Sequence, residues 1–303
     1  MLQEKTRLLV VGGDRRQLYM AKNLMEKGYA PRLCGFGRQA DFAAPDFAQL
    51  DCCTLPPEEV LRDCRALLLP LPASRDGICV NAPFADAAPA FAPLLAALDA
   101  QQTVFGGMLP ERWKAALSAR GIAFYDYFER EEFALRNAVP TAQGVLRLAM
   151  ENIEFTLHGA HCAVTGYGRC ARVLCAALRG IGAKVLVAAR SERDLAKAQA
   201  DTLETTPLAR LAEYAPRLDI LVNTVPARVV DSGILRALRQ DCLLIEIASG
   251  IDRAAAQSLG IRVIPAPSLP GKAAPKTAGN IIAGTVHGIL KTLDNTQERD
   301  MQL

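Results

Sequence analysis

One segment, residues 162–190, constrains the fold of this chain more than any other. It opens with a short apolar run at 163–165, which is typical of a buried parallel strand. A turn of the form G-x-G-x-x-A follows, with Gly166, Gly168 and Ala171 at the fixed positions. The first glycine permits a sharp turn, the second lets the backbone approach a pyrophosphate, and the small third residue allows close helix packing. The pattern predicts a strand–helix–strand unit that binds a dinucleotide; an α/β turn without a nucleotide is the alternative.

The residues after the second strand of this unit bear on the choice of cofactor. An Asp or Glu there would bind the ribose 2′-hydroxyl and favour NAD, but this chain has Arg190, Ser191 and Arg193. Two guanidinium groups and a hydroxyl suit a 2′-phosphate, so we expect NADP, with NAD as the alternative. The competing interpretation is that both arginines only solvate a loop.

A later strand, 219–225, ends in polar residues that we expect near the nicotinamide half of the cofactor, although Asn and Pro also favour an ordinary turn. The predicted cofactor-binding residues are Gly166, Tyr167, Gly168, Arg169, Cys170, Arg190, Ser191, Arg193, Asn223, Thr224, Val225 and Pro226.

Composition indicates an ordinary globular protein. The 303 residues are 50% hydrophobic and 22% charged, with a net charge of +3, which argues against nucleic acid as a partner. The nine cysteines form no C-x-x-C pair and no cluster with histidine, so neither a metal site nor a disulfide framework is expected. We expect no signal peptide and no membrane-spanning run, and we therefore expect a cytoplasmic protein.

Alternation of strands and helices along the whole chain predicts an α/β fold with two doubly wound parallel-sheet (Rossmann-like) domains flanking an interdomain cleft. We expect a flavodoxin- or Rossmann-like substrate domain at 1–136 plus 278–303, and an NAD(P)-binding Rossmann domain at 137–277. A linker helix is expected at about 140–156, opened by Pro140 with Thr141 as its N-cap. The apolar last helix should pack on the first domain.

The first strand, 7–11, runs into a Gly-Gly-Asp-Arg-Arg turn at 12–16. This turn lacks the dinucleotide fingerprint, but it gathers backbone N–H groups and two arginines at a helix start. We therefore expect an anion site there, with a solvated helix start as an equal alternative.

Four segments resemble a known family. They are LLVVGGDRRQL at 8–18, AVPTAQGVLRLAM at 138–150, LHGAHCAVTGYGR at 157–169 and APSLPGKAAPKTAG at 266–279. In this order and spacing they resemble the dipicolinate synthase A subunit of spore-forming bacteria, whereas 52–64 and 69–83 match that family poorly. The resemblance implies oxidation of dihydrodipicolinate, derived from 4-hydroxy-tetrahydrodipicolinate, to dipicolinate. It also implies a flavoprotein-like B subunit, a heteromeric enzyme and the mother cell of a sporulating bacterium; a homo-oligomer stays open.

A ring substrate with two carboxylates requires cationic or N–H ligands. The substrate-binding candidates are Arg15, Arg16, Asn137, Thr141, Ser249, Lys272 and Lys276, with Ser268 at another strand end. For each lysine, a solvated loop charge is the alternative. No catalytic base is assigned, because His158 and His161 precede the nucleotide-binding strand and His287 lies on the last helix.

Three other functions stay open at this point. One is another two-lobed NAD(P)-dependent dehydrogenase, although no histidine follows the fifth strand of the nucleotide domain. The second is a non-catalytic NADPH-binding scaffold or sensor for a flavoprotein partner, which the missing base favours. The third is an oligomeric interaction protein with a vestigial site.

Overall fold

The computed structural model describes residues 5–37, 47–53 and 55–300, with side chains up to residue 296. The chain divides into two compact units, 1–134 with 275–303 and 135–274. We call them unit 1 and unit 2. The predicted domain boundaries, 136/137 and 277/278, lie two and three residues from these.

Unit 1 contains a six-stranded parallel sheet within its described residues, in the order β3-β2-β1-β4-β5-β6. Its strands are β1 (Arg7–Val11), β2 (Ala30–Cys34), β3 (Asp51–Cys52), β4 (Ala66–Leu68), β5 (Thr103–Gly106) and β6 (Ala123–Asp126). Its helices are α1 (Arg15–Glu26), α2 (Pro57–Leu61), α3 (Phe91–Ala97) and α4 (Glu111–Ala119), followed by a 3₁₀ turn at Tyr127–Glu129.

Unit 2 repeats this topology, with the sheet order β12-β11-β10-β7-β8-β9. Its strands are β7 (His161–Thr165), β8 (Lys184–Ala189), β9 (Glu204–Pro207), β10 (Ile220–Asn223), β11 (Leu243–Glu246) and β12 (Val263–Pro265). Its helices are α6 (Arg169–Gly180), α7 (Glu192–Ala200), α8 (Leu211–Tyr214), α9 (Ser232–Ala237), α10 (Arg253–Ser258) and α11 (Leu269–Ala273), with 3₁₀ turns at Leu208–Arg210 and Ala215–Arg217.

Both sheets therefore have the strand order of a doubly wound fold, and the predicted fold class is confirmed. Each central strand is a short apolar run with its residues almost fully buried, as in Leu8–Val11 of β1. Burial on both faces of the sheet explains why these strands lack an alternating polar pattern.

The predicted start of the linker helix, at Pro140, is wrong. Helix α5 runs over Glu131–Asn152 and has Pro140 in its interior. Proline removes the hydrogen bond to the carbonyl four residues earlier, so the sequence suggested a helix start. The helix continues because it is packed on both sides of that point: Phe133 lies in the core of unit 1, and Ala142 and Val145 lie in a core of unit 2.

The last helix, α12 (Pro275–Asp300), packs on α1 in unit 1 as predicted. Contact between the two helices is close at Gly279. A Cβ atom added there would lie 2.4 Å from the carbonyl oxygen of Arg16 and 2.9 Å from the backbone nitrogen of Met20. The glycine therefore sets the approach of α12 to α1.

Candidate functional site

The turn between β7 and α6 lies where the strand order of unit 2 reverses, the usual ligand site of a doubly wound sheet. Gly166 has φ +77°, and its N–H donates to the carbonyl oxygen of Ala188 at 2.8 Å. A Cβ at Gly166 would lie 2.8 Å from Cγ2 of Val225, so a side chain is excluded. At Gly168, an added Cβ would meet nothing within 4 Å. The space beside Gly168 is therefore open to a ligand.

The start of α6 has no side-chain cap among the described residues, since Gly168 occupies the N-cap position. Backbone N–H groups of the first turn are thus left for an anion, which the helix dipole also favours. The corresponding turn of unit 1 is different. There Asp14 caps α1 by accepting from the N–H of Arg16, and Gln17 completes a capping box.

This difference argues against the predicted anion site at 12–16. The N–H groups of Gly12 and Gly13 donate to the carbonyl oxygens of Cys34 and Asn81, at 2.9 and 2.8 Å. The N–H of Asp14 donates to Oε1 of Gln17 at 2.9 Å. The helix start of unit 1 is therefore filled by the protein's own carboxylate.

A cavity of about 430 Å³ lies beside the end of β8. Leu208, Val229 and Ile234 line its apolar part, and Arg190, Arg228 and Asp231 line its charged part. Its volume falls in the range typical of small-molecule sites. The cavity is therefore large enough for the adenosine part of a dinucleotide.

The three charged residues of this cavity differ in whether they already bind other residues of the protein. Arg190 is exposed and makes no hydrogen bond or ion pair with any described residue. Arg228 pairs with Asp252, and Asp231 accepts from the first N–H groups of α9. Arg190 is thus the cation of this cavity that is available to an anionic ligand.

The other two residues predicted to hold a 2′-phosphate follow Arg190 closely in the sequence. Ser191 is the N-cap residue of α7, is half-buried, and makes no side-chain cap hydrogen bond. Arg193 is exposed, with its guanidinium 3.7 Å from the carboxylate of its neighbour Asp194.

Asn223 has a structural role that the sequence did not reveal. It is fully buried, and its Oδ1 accepts from the hydroxyl of Thr165 at 2.6 Å. Its Nδ2 donates to the carbonyl oxygens of Val225 and Ala248, at 3.1 and 2.6 Å. Because its polar atoms are occupied, Asn223 holds the ends of β7, β10 and β11 in register. We do not propose it as a direct cofactor ligand.

Thr224 belongs to the same network, since its hydroxyl donates to the carbonyl oxygen of Thr165 at 2.7 Å. Val225 shapes the turn through its contact with the position of Gly166. Pro226 is exposed in the loop that follows β10. These residues form the wall of the turn between β7 and α6.

The side chains of Tyr167 and Cys170 also serve the protein itself. The phenol of Tyr167 is buried and donates to Oδ2 of Asp201 at 2.7 Å. Burial is the main cause that raises the pKa of the Cys170 thiol, which is hydrogen-bonded to Thr141. Their backbone N–H groups stay candidates for the phosphates, as does that of the exposed Arg169.

Thr141, predicted as an N-cap and a substrate ligand, is buried inside α5. Its hydroxyl donates to the carbonyl oxygen of Asn137 at 2.7 Å and also contacts the Cys170 thiol. It therefore joins α5 to the first turn of α6. The side chain of Asn137 is half-buried and makes no hydrogen bond with a described side chain or backbone group.

Arg16 is likewise built into the fold. Its side chain is 5% exposed, and its guanidinium binds both carboxylate oxygens of Asp14 and the carbonyl oxygen of Leu71. We therefore do not propose it as a substrate ligand. Arg15 is exposed at the start of α1, and Lys276 is exposed in the first turn of α12. Both lie at the same end of unit 1, because Gly279 contacts α1 at Arg16.

The loop after β11 is held by Glu246, which sequence reasoning missed. This buried carboxylate accepts from the N–H groups of Gly250 and Ile251, at 2.9 and 3.0 Å, and pairs with Arg253. Burial alone would raise its pKa, but these hydrogen bonds outweigh burial and lower the pKa. The detectable signal was a carboxylate that ends an apolar strand before a Ser-Gly turn. Ser249 is exposed in this loop.

Lys272 is exposed on α11. It lines a smaller cavity of about 190 Å³, between α5 and the segment that follows β12, together with Arg147 and Glu151. Arg147 and Glu151 form an ion pair of 2.7 Å with each other. Ser268, also in this segment, is exposed and has a left-handed φ of 57°.

The histidines offer no base beside the turn. His158 packs against Gly182, and His161 begins β7, at the end of the strand opposite the glycine turn. His287 of α12 is 3.0 Å from the hydroxyl of Tyr29, and burial, followed by Lys27 and Lys291, lowers its pKa.

Neither a metal centre nor a membrane segment is found in the described part of the chain. Its residues contain no group of three or more His, Cys, Asp or Glu that could hold a metal ion. No helix among them combines the length and apolar character needed to cross a membrane.

Known proteins similar to this chain agree with the fold. A family model described as the N-terminal domain of the dipicolinate synthase A subunit matches residues 7–128. The dipicolinate synthase A subunit of Bacillus subtilis (strain 168) is 28% identical over 288 residues, covering 94% of this chain and 95% of that protein. The crystal structure of the dipicolinate synthase A subunit from Bacillus halodurans superposes with a TM-score of 0.84 at 27% identity, covering 94% and 97% of the two chains.

The resemblance to the family of dipicolinate synthase A subunits is confirmed. The family model lies within unit 1, whereas the two relatives match across both units. An L-alanine dehydrogenase structure is more distant, with 12% identity, a TM-score of 0.66, and coverage of 96% and 90%. That likeness shows the fold alone.

Proposed function

We propose that this chain is the NAD(P)-binding subunit of a dipicolinate synthase. It would take part in the NADP-dependent oxidation of dihydrodipicolinate, formed from 4-hydroxy-tetrahydrodipicolinate, to dipicolinate in the cytoplasm of a sporulating mother cell. The observation that carries the proposal is the uncapped start of α6 beside the open space at Gly168, in a chain that matches a dipicolinate synthase A subunit over 94% of its length.

The residues of unit 2 fit a dinucleotide. The N–H groups of the first turn of α6 would bind the pyrophosphate, because neither a side chain at Gly168 nor a cap fills that space. The cavity beside Arg190 would hold the adenosine, and the guanidinium would pair with a 2′-phosphate. When bound, the nicotinamide supplies a hydride acceptor. NAD is the alternative cofactor, and the same cavity would hold it without the pairing at Arg190.

The protein's own part in the reaction is mainly orientation. Oxidation of the dihydro ring gives an aromatic pyridine, so a large driving force comes from the substrate itself. For the two carboxylates we propose polar residues of unit 2: the exposed Ser249 and Lys272 and the half-buried Asn137. Asn223 and Glu246 would keep the loops after β10 and β11 in place through the hydrogen bonds described above.

A second candidate is an NADPH-binding subunit without a catalytic centre of its own. One observation favours it: the three histidines are engaged elsewhere, and His161 starts the strand whose other end carries the turn. In that case a flavoprotein-like B subunit would complete the reaction. The relatives are named as the A subunit of their enzyme, which agrees with a complex of different subunits.

The test is dipicolinate formation from freshly generated 4-hydroxy-tetrahydrodipicolinate. NADP or NAD is supplied to the purified chain, with and without the B subunit. We expect product with NADP from this chain alone; product only in the presence of the B subunit would favour the second candidate. No nucleotide-dependent product under either condition would overturn the proposal.

A further inference from the structure

Two cysteines of unit 1 lie side by side at the edge of its sheet. Strands β2 and β3 run parallel, with Leu33 aligned to Cys52. The N–H of Cys53 donates to the carbonyl oxygen of Leu33 at 2.8 Å, so the alignment extends by one residue beyond β3. It therefore places Cys34 next to Cys53, and the two thiols are in hydrogen-bond contact.

Both thiols lie on the same face of the sheet. Side chains alternate between the two faces along a strand, and Arg32 and Asp51, two residues earlier, form an ion pair of 2.9 Å across the same two strands. The packing agrees, because Cys34 belongs to one buried apolar cluster and Cys53 packs against that cluster. Leu33 belongs to a different cluster.

We propose that Cys34 and Cys53 are a disulfide-forming pair, which a small disulfide such as oxidised glutathione converts to a reversible intramolecular bond. Adjacent strands are about 4.8 Å apart. Disulfide-bonded cysteines have Cα atoms roughly 4.4–6.8 Å apart, so neighbours on adjacent strands can be joined with little backbone movement. No sequence motif marks this pair, because residues 34 and 53 are distant along the chain.

The reaction proceeds by two thiol–disulfide exchanges. Cys53 is half-buried whereas Cys34 is 2% exposed, so the oxidant reaches Cys53 first. The Cys53 thiolate attacks the oxidant, forms a mixed disulfide and releases one thiol. The Cys34 thiolate then attacks Sγ of Cys53 and releases the second thiol. The two cysteines lose two protons and two electrons, which reduce the oxidant to two thiols.

The second exchange should be slow at neutral pH. Burial is the main cause that raises the pKa of the Cys34 thiol, to about 12. Burial also raises the pKa of Cys53, while the nearby Arg32 guanidinium acts in the opposite direction. Because the thiolate is the attacking species, the rate should increase about tenfold for each pH unit between 7 and 9.

Two neighbouring cysteines provide matched controls. Cys52 adjoins Cys53 in sequence, but it is exposed and points to the opposite face. Cys64 is buried in the same cluster as Cys34, and its thiol donates to the carbonyl oxygen of Val60 at 3.3 Å. A link that used either of them would require a different geometry.

The experiment treats the folded full-length chain with oxidised glutathione at pH 8.5, alkylates the remaining thiols, and maps cross-linked peptides by mass spectrometry. We expect a Cys34–Cys53 link in the wild type and in Cys52→Ser and Cys64→Ser, removed by dithiothreitol. In Cys34→Ser, residue 53 should stop as a glutathione adduct.

Three results would overturn the proposal. One is a wild-type protein in which Cys53 carries glutathione while Cys34 is still alkylated. The others are a link from Cys34 to Cys64, or loss of the link in Cys52→Ser. The circular dichroism spectrum of each variant, before oxidation, shows whether it is folded.

Discussion

Arg190 carries the predicted preference for NADP on a single side chain. It directly follows β8 and lines the 430 Å³ cavity. Its side chain makes no hydrogen bond or ion pair with a described residue. A hydrogen bond to a charged group is worth about 1.5–3 kcal/mol. One guanidinium facing a 2′-phosphate therefore discriminates between NADPH and NADH by roughly one to two orders of magnitude.

Substitution Arg190→Ala tests this directly. We expect NADPH affinity to fall at least about tenfold while NADH affinity changes less than about twofold, because only NADPH has the 2′-phosphate. Arg217→Ala is the control, since Arg217 is exposed and pairs with Glu204 on β9 outside this cavity. Equal losses for both dinucleotides in Arg190→Ala would remove Arg190 from the phosphate site.

Gly168→Asp gives unit 2 the same kind of capped turn as unit 1. Nothing lies within 4 Å of an added Cβ, so the fold should accept the side chain. An aspartate at an N-cap satisfies the first N–H groups of the helix and interacts favourably with its dipole, which contributes about 0.3–1 kcal/mol. We expect an unchanged or higher melting temperature. Fluorescence titration should show that NADPH no longer binds.

Gly166→Ala provides the contrast to that variant. Its φ of +77° and the 2.8 Å approach to Val225 make any side chain unfavourable, so this variant should be destabilised. If Gly168→Asp bound NADPH as the wild type does, the start of α6 would not be the pyrophosphate site.

At the scale of elements, Pro140 led to a wrong prediction of where helix α5 begins. Proline is common in the first turn of a helix, and only the burial of Phe133 and Val145 on either side shows that α5 continues through it. The cap of α1 was not predicted, although Asp14 and Gln17 have the spacing of a capping box. The side-chain directions of Asn223 and Thr141 depend on neighbours distant in sequence, which no local pattern reports.

The packing of α12 on α1 can be tested at its glycines. Gly279→Ala would drive a Cβ against the backbone of α1, and overpacking of this kind costs about 1–3 kcal/mol of the free energy of unfolding. Gly284→Ala, in the same helix, meets nothing within 4 Å and should raise helix stability by about 0.5–1 kcal/mol. Urea denaturation of both variants measures these changes.

We expect Gly279→Ala to lower the free energy of unfolding and Gly284→Ala to raise it, and this difference in sign is the test. If Gly279→Ala were as stable as Gly284→Ala, the two helices would not be in contact at residue 279.

At the scale of the whole molecule, the two units show what a shared topology does and does not determine. Both sheets have the same strand order. Apolar runs were sufficient to predict a doubly wound parallel sheet in each unit, but not the edge strands β3 and β9, which are not apolar. The first turns differ in a few residues: Asp14 caps α1 in one unit, whereas Gly168 leaves α6 without a side-chain cap in the other. Fold class was therefore accessible from the sequence, whereas the rejection of Arg16 as a substrate ligand required its contacts with Asp14 and Leu71.

Acid stability follows from carboxylates whose pKa the fold lowers. In Glu246, hydrogen bonds from Gly250, Ile251 and Arg253 outweigh burial and lower the pKa from 4.5. The ionised form therefore stabilises the fold above pH 4.5, and this stabilisation is lost as the pH falls through the lower folded-state pKa. The same direction holds for Asp76, Asp201, Glu213, Asp241 and Asp252.

Glu246→Gln should therefore lower the melting temperature at pH 7 and flatten its decline below pH 4.5. Glu213→Gln is the matched control, since this exposed residue pairs only at the surface with Arg210 and should change the curve little. Identical acid limbs for wild type and Glu246→Gln would show that Glu246 does not contribute to acid stability.

Equilibrium binding of NADPH and NADH to the purified chain alone tests both the dinucleotide site and its preference for NADP. We expect one site per chain and an NADPH affinity at least about tenfold higher than the NADH affinity, as the pairing with Arg190 requires. Absence of binding for both dinucleotides would contradict the assignment of the glycine turn and the cavity. Equal affinities would still agree with a dinucleotide site and would contradict only the preference for NADP.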